Sequence, residues 1–163
     1  MQVLLRKLIQ GVDRINWLCG WLLAALLLVM TVLISWQVFA RYVMGNSLTF
    51  SEEVARFSMV WLTMLGAAYA YRHGSLIAVT VLSEIAGGRF ARGLRLLVAV
   101  ISCIFAWVLL KEGFNITERV VTQTAPSTRV SMAWLYGAVP AGAAMILINA
   151  AAIIAEHFTV KKD

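Results

Sequence analysis

Four residues in this chain stand where they could act on another molecule: Arg41, Glu52, Glu53 and Arg56. Arg41 follows one long apolar run and the carboxylates come just before the next, so the group falls where two membrane-spanning helices meet one side of the bilayer. Thr49 and Glu52 have capping-box spacing, and acidic residues in a first turn suit the positive end of the helix dipole. Glu53 and Arg56, three apart, share a helix face. A charged pair at that boundary fits the docking of a partner chain, and a cap with a docking surface describes these residues better than acid–base catalysis.

Reacting groups inside the spans are what a membrane enzyme or redox carrier requires, and they are missing from the sequence. His73 and His157 both fall at span ends, leaving no intramembrane histidine pair for haem. There is no HExxH, GxSxG or P-loop pattern. Every Asp and Glu lies near a span end or in a loop, whereas a self-sufficient proton-coupled carrier needs a carboxylate near the midplane. Cys19 and Cys103 read as small apolar fillers. The expectation is a non-enzyme without cofactor or metal. The competing reading is a self-associating small transporter or channel with its path at an oligomer interface.

The elements that carry these residues follow from composition: 61% of the 163 residues are hydrophobic and 13% charged, well outside the soluble balance. The apolar runs are apolar all round, which excludes the alternation of a β-barrel. They predict an all-α membrane protein forming a single domain over 1–163, with transmembrane helices at about 17–40, 54–71, 94–116 and 130–155. Residues 1–15 place Leu4, Leu5, Leu8, Ile9, Val12 and Ile15 at helical spacing, predicting an amphipathic helix in the cytoplasmic interface. The island 76–82 is too short to span and predicts a second interfacial segment, in the loop between helices 2 and 3.

The formal charge of +6 is read as topology, not as nucleic-acid binding. With the N-terminus inside, Arg6, Lys7, Arg14, Arg72, Arg89, Arg92, Arg95, Lys161 and Lys162 are cytoplasmic, against Arg41, Arg56, Lys111, Arg119 and Arg129 outside. The positive-inside rule then puts both termini in the cytoplasm, the inner arginines and Lys7 facing lipid headgroups. Small residues mark packing faces: Gly66 and Ala70 on the second helix, Gly137, Pro140 and Gly142 on the fourth. Pro140 is expected to free a carbonyl and bend its helix. Asn149 lies deep enough to need a partner.

The series Arg41-Tyr42-Val43, Ser51-Glu52-Glu53-Val54-Ala55-Arg56, Val60-Trp61-Leu62, Gly66-Ala67-Ala68 and Arg72 resembles the small membrane subunit of tripartite ATP-independent periplasmic (TRAP) transporters, the DctQ-like family. Ala125-Pro126, Met132-Ala133-Trp134-Leu135-Tyr136 and Pro140-Ala141-Gly142 are similar to its last loop and fourth helix. Phe50 stands where the family often has Trp, and Leu76-Ile77 and Thr80 where it often has a His-Ile pair and an Asp. The resemblance implies a bacterial inner-membrane subunit that binds a large multi-span transport subunit carrying the substrate and sodium sites. It implies a periplasmic solute-binding protein that delivers a carboxylate. Arg41, Glu52, Glu53 and Arg56 would then be the outer docking region.

Overall fold

The computed structural model describes residues 2–45, 49–73 and 88–160, with side chains described over 9–45, 49–73, 93–94 and 96–155. Five helices occupy nearly all of this: α1 Gln2–Val43, α2 Thr49–Arg72, α3 Gly88–Arg119, the single turn α4 Ala133–Tyr136, and α5 Ala138–Val160. The expected interfacial segment at 76–82 lies outside the described residues, as do the side chains of Arg6, Lys7, Arg89, Arg92 and Arg95.

Among the described residues, three stretches are long and apolar enough to cross a membrane: Ile9–Val43, Leu96–Arg119 and Ala133–Ala155. The sequence reading had four. α2, with 24 residues, is long enough, but Arg56 and its serines, threonines and tyrosines dilute its hydropathy. The N-terminal region also differs from expectation. No separate interfacial helix stands at 1–15, because α1 continues without a break for 42 residues, about 63 Å at 1.5 Å per residue. The reason is local. No proline interrupts it, and the polar residue at the expected boundary, Asn16, turns its amide back onto the Val12 carbonyl at 2.9 Å, within the helix.

The long helices stand in a row, in the order α1, α2, α5, α3, with α1 also touching α5. α5 packs chiefly on α3 and α2, α2 packs on α1, and among the described residues α1 and α3 do not meet. Burial follows this order. Only 6% of the most apolar stretch of α1 is buried, against 44% for the stretch that includes α5. A small core of Cys19, Leu65, Ala68 and Met145 joins α1, α2 and α5, with Leu23, Trp61 and Ile146 packed against it.

Close approach in the centre of the row depends on two glycines. A Cβ on Gly142 would stand 2.9 Å from both the Cβ and the carbonyl oxygen of Met64, so α5 meets the α2 backbone there. A Cβ on Gly113 would stand 3.0 Å from Pro140 Cδ, and the proline ring fills the notch between α5 and α3. Because Pro140 lies in the first turn of α5, its missing N–H bends no helix interior, contrary to the expected kink. Gly66 has only Leu23 Cδ2, at 4.0 Å, while a Cβ on Gly137 would strike Ala133 O of its own turn at 2.9 Å. Ala70 is only partly buried, and its neighbour Ala68 holds the fully buried position. Gly142→Val should therefore separate α2 from α5 and destabilise the fold by about 2 kcal/mol, read as a lower unfolding midpoint in mild detergent. Gly66→Ala should leave the midpoint nearly unchanged.

Candidate functional site

Polar side chains gather at the two ends of α2. At the first end the adjacent carboxylates have separate fates. Glu52 is exposed and meets Arg56 at 3.7 Å, an i,i+4 pair with both side chains mostly in solvent; such pairs contribute little. Glu53 turns inward, 8% exposed. Its Oε2 accepts the backbone N–H groups of Ser127 at 3.0 Å and Thr128 at 2.9 Å. The expected Glu53–Arg56 pair is thus replaced by Glu52–Arg56, because Glu53 is already engaged by the loop. α2 starts at Thr49, so that residue lies inside the first turn and not in front of it. Arg41 is exposed near the end of α1.

The segment held by Glu53 is a folded hairpin. Ala125 N–H donates to Val130 O at 2.9 Å, Met132 N–H to Gln123 O at 2.8 Å, and Thr124 and Ser131 form an isolated β-bridge. Pro126 lies in the turn, Arg129 takes a left-handed backbone with φ 55°, and Ala125 is buried beneath it. Ser131 Oγ donates to Val121 O at 2.8 Å and accepts the Ala133 N–H at 3.2 Å, which joins the end of α3 to the start of α4. The carboxylate of Glu53 thus fixes two N–H groups that the turn itself leaves unpaired. About two turns further along α2, Trp61 Nε1 donates to Trp134 O at 2.9 Å, a second tie between α2 and the polypeptide beyond the loop. Trp61→Phe should cost about 1 kcal/mol, measured as a shift in the detergent unfolding midpoint.

A second cluster lies at the other end of α2. Asn16 Nδ2 donates to Asn149 Oδ1 at 2.7 Å, and Asn149 Nδ2 returns a bond to Asn16 Oδ1 at 3.1 Å and reaches Ala68 O at 2.9 Å. Both amides are almost completely buried, and together they join α1, α2 and α5. Nearby, Arg72 donates through Nε at 3.0 Å and Nη2 at 2.8 Å to Asp13 Oδ1. The Arg72 side chain is only 11% exposed, so the guanidinium expected to face lipid headgroups is instead an interhelical tie. Arg14 is exposed.

The sequence reading marked Asn149 as needing a partner but missed Asn16, which lies far away in the chain. An amide directly before the first apolar run was the available signal. Asp13, in the N-terminal stretch, carried no mark of its own in the sequence. Gly113 was also missed, since it follows the charged pair Lys111 and Glu112 and no second small residue marks a packing face beside it. Among the described residues, no three His, Cys, Asp or Glu side chains come together as a metal site would require. The polar groups fasten helices to each other and to one loop.

Residues 30–160 match the family described as tripartite ATP-independent periplasmic transporters, DctQ component. Over 148 residues the chain is 27% identical to the sialic acid TRAP transporter small permease protein SiaQ of Vibrio cholerae, covering 90% of this chain and 81% of that one. It is 32% identical over 97 residues to the C4-dicarboxylate TRAP transporter small permease protein DctQ of the same species, covering 59% of this chain and 41% of the relative. With its apolar helices and with four-fifths of its length matched by one family, the chain belongs to the DctQ-component family of TRAP transporter small permeases.

Proposed function

We propose that this small permease is the static scaffold of a sodium-coupled, binding-protein-dependent importer of organic acids. It stands beside a large multi-span transport subunit and offers its outer surface to a periplasmic solute-binding protein. The observation that carries this reading is the open row of helices. α1 and α3 flank the row without meeting, and the apolar stretch of α1 is almost wholly unburied. Its polar contacts, meanwhile, are used to hold the row together. Such a molecule has surface to give a partner, and the polar groups described above are occupied in fastening helices and loop.

α2 completes a four-span arrangement in this reading. Glu53 and Arg72 lie about 19 residues apart, or about 28 Å of helix, close to the roughly 30 Å of a hydrocarbon core. The Glu53 end is periplasmic and the Arg72 end cytoplasmic, with both termini inside, in keeping with the excess of Lys and Arg on that side. Arg41, Glu52, Arg56 and the hairpin pinned by Glu53 then form the outer docking surface. Arg6, Lys7, Arg14, Arg89, Arg92 and Arg95 meet the inner headgroups. Two relatives are called sialic acid and C4-dicarboxylate transporter subunits; both compounds are carboxylates, and an organic acid is the substrate class proposed.

Co-purification tests the partnership. Expressed with the large transport subunit, a tagged form of this chain should retain it in equal amount through detergent extraction. Recovery of this chain without that subunit, or as a homo-oligomer, would contradict the reading.

A further inference from the structure

The carboxylate of Glu53 has only one of its oxygens in use. Oε2 takes both loop N–H groups, while Oε1 is buried and has no hydrogen-bond partner. A carboxylate can accept about four hydrogen bonds, and burying part of an ionised group without a partner is costly. Glu53 also lines a cavity of about 150 Å³, walled mainly by Leu26 of α1, Phe57 and Trp61 of α2, and Val130 of the loop. That is several times the roughly 30 Å³ share of one water.

The walls select the occupant. A bare metal ion requires several oxygen ligands, and beyond Glu53 the side-chain oxygens of the lining are the hydroxyls of Ser58 and Thr128, the former already donating to Val54 O at 2.9 Å. A long side chain with an apolar stem and a cationic head fits better: the stem lies along Leu26 and Val130, the head meets Oε1, and the rings of Phe57 and Trp61 favour a cation. This chain's nearest basic side chain in sequence, Arg56, is paired with Glu52. The cavity also adjoins α1, the flank that the row leaves uncovered.

We propose that Oε1 of Glu53 receives an Arg or Lys side chain of the large transport subunit, inserted between α1, α2 and the 127–130 loop. The inference rests on the scaffold reading above and gives it a specific contact. One carboxylate then joins two tasks: it folds the loop with one oxygen and anchors the partner with the other. Docking of the large subunit and shaping of the outer surface become linked.

Titration of the purified large subunit onto the labelled full chain in nanodiscs tests this, using two variants. Glu53→Gln keeps a carbonyl oxygen for the loop and turns a donor toward the cavity. Val130→Trp, at a partly exposed position, fills the cavity mouth and leaves the carboxylate intact. Both should bind at least about tenfold more weakly, with tryptic cleavage at Arg129 as slow as in the wild type. Binding by both within twofold of wild type overturns the proposal. Weak binding by Glu53→Gln with normal binding by Val130→Trp also overturns it, since the effect then runs through the loop. If Glu53→Gln opens the loop, Val130→Trp alone decides. Should wild-type affinity fall to the variants' level in nanodiscs of phosphatidylglycerol and phosphatidylcholine only, the occupant is a lipid amine and the proposal fails. A wild-type chain that does not bind the large subunit at all removes the scaffold reading itself.

Discussion

Replacing Glu53 by alanine is expected to release the hairpin at 123–132 while leaving the helices in place. The N–H groups of Ser127 and Thr128 lose their shared acceptor, and hydrogen bonds to an ionised group contribute about 1.5–3 kcal/mol each. Water can reach the opened loop and recovers part of this, so the net local cost is about 2–4 kcal/mol. Amide exchange at Ser127 and Thr128 should then be about 30-fold faster or more, and trypsin should cut at Arg129 in the folded protein. Glu52→Ala serves as the contrast. Its carboxylate is exposed in a loose pair with Arg56, and its loss should change loop exchange by less than about threefold. Equal effects from the two replacements would show that the loop is not held by Glu53.

The largest global effect is expected at the other end of the row. Asn149→Leu removes the acceptor of the 2.7 Å bond from Asn16 and leaves Asn16 Oδ1 without its donor, in a site where both residues are almost completely buried. The cost should be about 2–3 kcal/mol, the sum of modest interhelical bonds and one stranded amide. Asn16→Leu should cost a similar amount. Because an apolar pair leaves less unsatisfied than either single replacement, the double replacement should be more stable than the sum of the two predicts, by at least about 1 kcal/mol. Denaturation of all four proteins in mixed micelles gives the cycle. Strict additivity would mean that the two amides do not form one unit.

These two sites also show what could and could not be read along the chain. Helix positions follow from apolar run length, and the long helices lie where those runs are. What composition could not give was how they end. α1 continues through Asn16 because an amide on a helix can bond its own backbone or a neighbouring helix, and only the fold brings Asn149 to it. Glu52 and Glu53 both suit a first turn, and adjacent residues on a helix point about 100° apart. Which one faces inward is decided by the loop at 127–128, not by either residue's type. Likewise Arg56 could reach Glu52 or Glu53 by spacing, and the engagement of Glu53 by the loop leaves Glu52. Among the small residues, Gly142 faces a neighbouring backbone and Gly66 does not; the sequence marks both as small, and only packing separates them. The marginal hydropathy of α2 has the same origin. A helix placed between two others can carry serine on a face that lipid does not meet, as the buried Ser51 and Ser58 of α2 do, so hydropathy alone undervalues it.

The scaffold account is tested most directly by solute uptake into vesicles. Vesicles containing this chain, the large transport subunit and the periplasmic binding protein should accumulate a labelled organic acid, sialic acid or a C4-dicarboxylate, when an inward sodium gradient is imposed. Those with this chain alone should accumulate none under any gradient, and those lacking only this chain should lose uptake. Sodium-independent flux through this chain by itself, or full uptake in its absence, would contradict the account.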